Sequence, residues 1–105
     1  MLRRARVYVN GQPAAVLEEL ERGRKYVLRY DDGYAGPPVS LTMPVATAEH
    51  SFDSFPAFFE GLLPEGDMLE SLLRQRKIDA SDYFSQLLAV GQEMVGAVTV
   101  EELRE

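Results

Sequence analysis

Apolar and polar residues alternate along the first half of the chain, and this period of two predicts strands with one buried face. In the first such segment Ala5, Val7 and Val9 point one way, while the residues between them point the other way. The four predicted strands cover residues 4–9, 15–17, 25–30 and 39–43, the last one stopped by Pro44. The first half is therefore expected to be an antiparallel β-meander.

Turn-forming residues separate these segments at short intervals. Asn10-Gly11 lies between the first two strands, and both residues tolerate the positive φ angles of a tight hairpin. Gly23 and Gly33 belong to two further predicted turns, and Gly36-Pro37-Pro38 extends the second of these loops.

After residue 50 the spacing of the apolar residues changes to that of amphipathic helices. The first helix is predicted from Ser54 as its N-cap to a stop at Pro64. Its apolar face consists of Phe55, Phe58, Phe59 and Leu62. The second helix is predicted to begin at Asp67, which together with Glu70 resembles a capping box. Its apolar face consists of Leu69, Leu72 and Leu73.

A third helix is predicted to begin at Asp79 or Ser81 and to end at Gly91. Its inward residues are Phe84, Leu87 and Leu88. Residues 94–100 are nearly all apolar and β-rich, which predicts a buried closing strand that returns to the sheet. The predicted fold class is therefore α+β, an antiparallel β-meander followed by three helices and a closing strand.

Length and composition indicate a single domain covering residues 1–105. The 105 residues are 46% hydrophobic and 27% charged, which is an ordinary balance for a globular protein. Apolar runs are short, so neither a membrane helix nor a secretory signal is predicted, and a cytoplasmic location is expected. The chain has no cysteine and a single histidine, His50, which favours a protein that is not an enzyme and holds no metal or cofactor.

The formal net charge of −6 is unevenly distributed. Residues 1–48 carry five acids and seven bases, which gives +2, whereas residues 49–105 carry twelve acids and four bases, which gives −8. An acidic second half repels a phosphate backbone, and the third helix has no Lys or Arg, so direct nucleic-acid binding is not expected. Arg3, Arg4 and Arg6 are interpreted as a solvated strand face.

Three short motifs invite a catalytic interpretation that their context does not support. Gly61 and Gly66 have the spacing of a nucleotide loop, but Asp67-Met68 follows where Lys-Ser or Lys-Thr is required. Asp31-Asp32 precedes a glycine between two strands and is interpreted as a turn rather than a magnesium site. His50-Ser51 lies in a predicted loop without an oxyanion motif.

The segment from Gly61 to Met68 joins two predicted helices and combines apolar residues with two glycines and a proline. Two interpretations are open. The segment is either a hinge whose apolar residues face the core or a loop that docks on a partner protein, because loops on rigid scaffolds often carry recognition. The predicted partner-binding residues are Leu62, Leu63, Pro64, Glu65, Gly66, Asp67 and Met68.

Four segments, in this order, resemble the N-terminal subdomain of the HipA toxin kinases. They are VYVNG at 7–11, PVSLTMP at 38–44, FFEGLLPEG at 58–66, and the segment from Leu87-Leu88 to Val95-Gly96-Ala97-Val98. In HipA proteins this subdomain precedes a longer Ser/Thr kinase domain, which holds the nucleotide loop, the catalytic Asp and the magnesium ligands. This sequence contains none of those motifs.

A single copy of the subdomain is similar to HipS, the small protein of HipBST toxin–antitoxin modules, in which the kinase HipT is a separate chain. The resemblance implies a non-catalytic antitoxin that binds and inhibits a HipT- or HipA-type Ser/Thr kinase by docking near its active site. A HipB-like DNA-binding protein is implied as a further member of the complex. Two alternatives stay open: an accessory subunit that completes a split HipA-like kinase, and an orphaned HipA N-terminal domain.

One residue departs from the family pattern. HipS-like and HipA-like relatives often carry Trp directly after Pro-Glu-Gly, whereas this chain has Asp67 there and no Trp at any position. Asp67 is expected either to cap its helix or to pair with a basic group of the kinase. Met68 and Leu69 are expected to supply the apolar contact instead.

Overall fold

A computed structural model describes residues 2–93 and 96–103 of the chain. Its strands are β1 (Arg3–Val9), β2 (Gln12–Glu21), β3 (Lys25–Tyr30), β4 (Glu49–Phe52) and β5 (Val98–Glu102). Its helices are α1 (Ala57–Glu60), α2 (Gly66–Arg76) and α3 (Tyr83–Val90). The strands form one sheet in the order β4-β3-β2-β1-β5, and every neighbouring pair is antiparallel. The α+β prediction is confirmed.

The first hairpin forms where the sequence predicts it. Asn10 and Gly11 have φ angles of 52° and 80°, and two successive positive values match the right-handed twist of the flanking strands. The pairing of β1 with β2 contains an irregularity, because Val7 pairs with Ala15 but Tyr8 pairs with Pro13. Ala14 lies between these two pairs, and both Ala14 and Ala15 are buried.

One hydrophobic core joins the inner face of the sheet to the helices. The alternation in the strands decides which residues enter it, since successive side chains point to opposite faces. The helices contribute Phe59, Phe84 and Leu87, all fully buried. The sheet contributes Ala5, Val7, Val9, Leu17, Tyr26, Leu28, Tyr30, Val98 and Val100.

The predicted fourth strand at residues 39–43 is wrong. The structure has only an isolated bridge there, between Ser40 and Met43. Prolines on both sides of this segment lack the N–H that a longer ladder requires. The Tyr30 hydroxyl holds the segment instead, because it accepts a hydrogen bond from the Val39 N–H at 2.9 Å and donates one to the Met43 carbonyl.

The fourth strand of the sheet is β4, which lies where a loop was expected. Its residues His50 and Phe52 pair with Leu28 and Tyr26 of β3 and are half-buried. The sequence Glu-His-Ser-Phe has little apolar alternation to identify it as a strand. It becomes one because β3 offers an unpaired edge, which is a property of the folded sheet.

The predicted starts of the first two helices are also wrong. Helix α1 begins after Pro56 rather than Ser54, and after it the N–H groups of Leu62 and Leu63 bond to carbonyls three residues earlier. Asp67 forms no capping box, because α2 begins one residue before it and has no side-chain cap.

Helix α3 begins after Asp82, whose carboxylate accepts the Ser85 N–H at 3.2 Å, rather than after Asp79 or Ser81. An N-cap carboxylate of this kind satisfies one of the N–H groups that have no partner within the helix. The helix is thus capped by the residue immediately before it.

Gly91 ends α3 as predicted and brings the chain against β5. Its carbonyl accepts the Val100 N–H at 2.9 Å, and a Cβ atom at residue 91 would lie 2.2 Å from the Val100 carbonyl oxygen. Only glycine permits this approach. The closing strand begins at Val98, and Met94 and Val95, with which it was predicted to begin, lie outside the described residues.

None of the helices in the described part of the chain has the length and apolar content needed to cross a membrane.

Candidate partner-binding surface

Helix α2 is poorly covered by the rest of the described chain. None of its 11 residues is buried, and none belongs to the hydrophobic core of the described chain. Its apolar residues Leu69, Leu72 and Leu73 are half-buried, and Met68 is 74% exposed. An apolar stripe that the fold leaves uncovered is a feature of interaction surfaces.

The junction at residues 61–68 determines how α2 follows α1. Two tight turns follow α1, and Pro64 stops the chain from continuing as a helix. Gly66 then adopts a φ angle of +60°, a conformation in which a side chain is strained. These backbone restrictions set the direction in which α2 leaves the junction.

An open groove of about 780 Å³ lies beside the junction, between α2 and the end of α3. The apolar residues along it are Leu62, Pro64, Met68, Leu72 and Val90. The polar residues along it are Asp67, Ser71, Gln75 and Glu93, and Gly61 completes the lining. A volume of this size is typical of a site that holds a small molecule or a few side chains.

The structure separates the seven predicted partner-binding residues into two groups. Four of them line the groove: Leu62, Pro64, Asp67 and Met68. Leu63 is 9% exposed and packs in the core, so its side chain supports the fold. Glu65 and Gly66 are exposed at the turn before α2. The hinge interpretation therefore holds for Leu63, whereas docking on a partner stays a prediction for the residues that line the groove.

Six groove residues are absent from the predicted set; one of them, Gly61, begins the segment that the sequence singled out, and the other five lie outside that segment. Ser71, Leu72 and Gln75 lie three, four and seven residues after Met68, so helical spacing alone could have identified them. Val90 and Glu93 come from the end of α3 and the turn after it. No local pattern brings those two residues to α2, because only the packing of α2 against α3 does so.

The charges of the groove have one sign. Asp67 and Glu93 are its charged residues, and no Lys or Arg occurs among the described residues that line it. The basic residues of α2, Arg74 and Arg76, lie in its last turn. This order suits the helix dipole, since acids stabilise the N-terminal end of a helix and bases the C-terminal end.

A buried ion-pair network anchors α3, the other wall of the groove. The Arg3 guanidinium donates to Glu19 at 2.6 and 2.9 Å and to Asp82 at 3.0 Å. The Tyr26 hydroxyl also donates to Glu19, at 3.0 Å, and the Arg3 guanidinium lies 5.0 Å from the centre of the Phe84 ring. The network joins β1, β2 and β3 to the start of α3.

This network corrects the interpretation of Arg3 as part of a solvated strand face. The Arg3 side chain is 21% exposed and that of Glu19 only 3%. The signal was present in the sequence, because Arg3 has the same parity as the inward residues Ala5 and Val7. Arg6 does face outward, where it pairs with Asp31 at 2.7 Å.

Burial and hydrogen bonding act in opposite directions on the acids of the network. Burial raises the pKa of Glu19, but hydrogen bonds from Arg3, the Gly23 N–H and Tyr26 outweigh it, so the pKa lies below its ordinary value. The pKa of Asp82 is lowered in the same way by Arg3 and Ser85. Both groups are therefore held as carboxylates at neutral pH.

The remaining motifs have structural surroundings. Asp31 is held by Arg6 at a turn, and the His50 Nε2 atom lies 3.0 Å from the Pro44 carbonyl oxygen. Within residues 2–93 and 96–103, no three His, Cys, Asp or Glu side chains gather as a metal-binding group.

Comparisons with known proteins identify the origin of this architecture. The sequence model of the HipA N-terminal domain family matches residues 5–101. An uncharacterized protein of Haemophilus influenzae is 31% identical over 105 residues, which cover 100% of this chain and 97% of that protein. Among solved structures, an N-terminal domain of HipA toxin superposes with a TM-score of 0.78 at 27% identity, over 100% of this chain and 96% of that one.

A longer relative carries the same domain as one part of a larger chain. This Sinorhizobium fredii protein, named as a predicted kinase, Y4dM, is 30% identical over 104 residues. The match covers 90% of this chain and 25% of that protein.

Proposed function

The chain belongs to the HipA N-terminal domain family, and from this premise we propose that it is a non-catalytic, antitoxin-like protein that binds and inhibits a HipT- or HipA-type Ser/Thr kinase. The observation that carries the proposal is the partly exposed apolar side of α2. This side directly follows the segment FFEGLLPEG at 58–66, which is one of the segments that resemble the HipA family. A partner chain that covers this side would bury Met68 and the stripe behind it.

The proposed kinase acts as a separate partner. The Haemophilus relative supports this, because it is nearly the same length as the present chain and so offers the domain without a kinase segment of its own. The family domain is a non-catalytic subdomain, and inhibition is accordingly proposed to be steric. The junction would dock near the kinase active site and obstruct the substrate or the active arrangement of the kinase.

Asp67 and Met68 have distinct proposed roles. Asp67 does not cap α2, so of its two expected roles we retain the pairing with a basic group of the kinase. Met68 is the most exposed apolar residue of the groove and would supply an apolar contact at the position following that of the family Trp. Methionine suits such a contact because its flexible side chain adapts to an irregular surface.

Autophosphorylation of a purified HipT- or HipA-type kinase tests the proposal. We expect addition of the purified chain in stoichiometric excess to suppress autophosphorylation, and the two proteins to co-purify. Unchanged activity together with no co-purification would reject the proposal. Recovery of a HipB-like DNA-binding protein in the same complex is a further part of the proposal and is checked in the same purification.

A pair of surface variants locates the interface. Met68→Ala is expected to weaken kinase binding about tenfold, the loss typical of a central apolar contact. Leu20→Ala is the matched control, because Leu20 is also an exposed apolar residue, 42% exposed, but lies on β2 outside the groove. Equal loss of affinity in both variants would contradict an interface at α2.

An accessory role is the alternative function. It is favoured by the Sinorhizobium relative, in which the matched domain is part of a longer protein named as a kinase. In that case the chain would complete a split enzyme and its addition would raise kinase activity. The direction of the change in the autophosphorylation assay decides between the two functions.

A further inference from the structure

We infer that the groove between α2 and the end of α3 receives a protruding apolar side chain flanked by Lys or Arg, presented by the kinase. This inference rests on the proposed function and specifies the chemistry of the partner segment. At this surface the chain would supply the cavity and the partner would supply the projecting residue. That assignment differs from a mechanism in which the junction itself plugs a cleft of the kinase.

The shape of the surface supports a receiving role. Glu65 and Gly66 are exposed at the turn before α2 and offer no large apolar group. The large apolar side chains nearby, Leu62, Met68 and Leu72, line the concave surface instead. The groove volume of about 780 Å³ is sufficient for an aromatic or branched side chain together with its neighbours.

The charge of the groove identifies what flanks that side chain. Asp67 and Glu93 form no ion pair within the described residues, and both belong to the lining. A purely apolar partner would remove water from these carboxylates without compensation, which is costly. A partner with Lys or Arg beside its apolar residue would satisfy them, and the same attraction would speed the encounter.

Three synthetic peptides of equal length test this chemistry on the full chain labelled with ¹⁵N. One has a central tryptophan flanked by lysines, the second has the same tryptophan flanked by glutamates, and the third has the lysines around a central alanine. We expect only the first peptide to shift the amide signals of groove residues such as Met68, Leu72 and Val90. Equal shifts with the first two peptides, or none with the first at millimolar concentration, would overturn the inference.

A charge-matched pair of double variants tests it in the kinase complex. Asp67→Asn combined with Glu93→Gln is expected to weaken kinase binding about fivefold or more at low salt, with the difference shrinking in 1 M salt. Asp32→Asn combined with Asp53→Asn changes the net charge equally at two exposed acids outside the groove and should leave the affinity nearly unchanged. Similar losses in both would show that overall charge, not the groove, steers the partner.

The two experiments separate this inference from the proposed function. If the groove variant inhibits the kinase as strongly as the wild-type chain at low salt, the inference fails while the antitoxin proposal stands. If the chain takes up the lysine peptide but neither binds nor affects the kinase, the antitoxin proposal fails, and the chemistry assigned to the groove is upheld.

Discussion

Helices α2 and α3 both have an amphipathic spacing of apolar residues, but they are buried to very different extents in the folded chain. In α3, Phe84 and Leu87 are completely buried and Gln86 is 1% exposed. In α2, none of the 11 residues is buried. Amphipathic spacing thus shows that a helix has a face to cover, but it does not show whether the same chain covers it.

The difference arises from what each helix meets. Helix α3 lies against the sheet, where Gly91 allows contact with β5 and the Arg3 network holds Asp82 at the first turn. Within the described part of the chain, helix α2 packs mainly against the side of α3. Its acidic first turn and basic last turn stabilise it locally, which is a weak contribution compared with burial. Contact with a partner would therefore bury more additional surface on α2 than on α3.

The strongest test of this contrast removes one large side chain from each helix. Phe84→Ala should destabilise the fold by ~3–5 kcal/mol, because it empties a fully buried position. Met68→Ala should change stability by no more than about 0.5 kcal/mol, since that side chain is 74% exposed. Urea unfolding of both variants measures the two effects, and comparable losses would mean that α2 is packed as tightly as α3.

A smaller loss is expected from breaking the network that anchors α3. Arg3→Met should cost ~2–3 kcal/mol, because it leaves the buried Glu19 carboxylate without its cation. Arg6→Met removes the cation of an ion pair on the outer face and should cost at most ~1 kcal/mol. Equal losses of unfolding free energy in the two variants, measured by chemical denaturation, would mean that the Arg3–Glu19 pair stabilises the fold no more than the Arg6–Asp31 pair does.

The contact between α3 and β5 depends on glycine at residue 91, which has no side chain. Gly91→Ala should destabilise the fold by ~1–3 kcal/mol, because the new Cβ would overlap the Val100 carbonyl oxygen. Gly61→Ala is the control, since its Cβ would meet the nearest atoms at an ordinary 3.5 Å in a right-handed helical conformation. Thermal unfolding compares them, and a tolerated substitution at residue 91 would mean that the two elements can separate at little cost.

Acid should weaken the anchoring of α3 through Glu19. The folded pKa of Glu19 lies below its ordinary value of 4.5, so its contribution to stability is fully present above that pH. The contribution is lost as pH falls through the lower folded value. Unfolding free energy measured from pH 6 to pH 3 should therefore decline, and Glu19→Gln should flatten that decline. An unchanged slope in the variant would remove Glu19 from the explanation.

The sequence identified the parts of the fold that depend on neighbours along the chain. Asn10-Gly11 requires a hairpin, the alternation of residues 4–9 defines a strand with two faces, and Gly91 ends a helix. Tertiary context decided the rest. Residues 39–43 alternate like a strand but are held by the Tyr30 hydroxyl, while Glu49–Phe52 pairs with β3 despite its weak pattern.

The candidate site also has one part that the sequence predicts and one part that only the tertiary structure determines. Its segment, the junction at residues 61–68, could be found from the sequence because glycine, proline and apolar residues meet there between two periodic stretches. Its shape could not, because Val90 and Glu93 reach the groove only through the packing of α3, and Leu63 turns into the core while its neighbours do not. Local backbone preference is encoded residue by residue, whereas a cavity is defined by surfaces that are distant in sequence and meet only after folding.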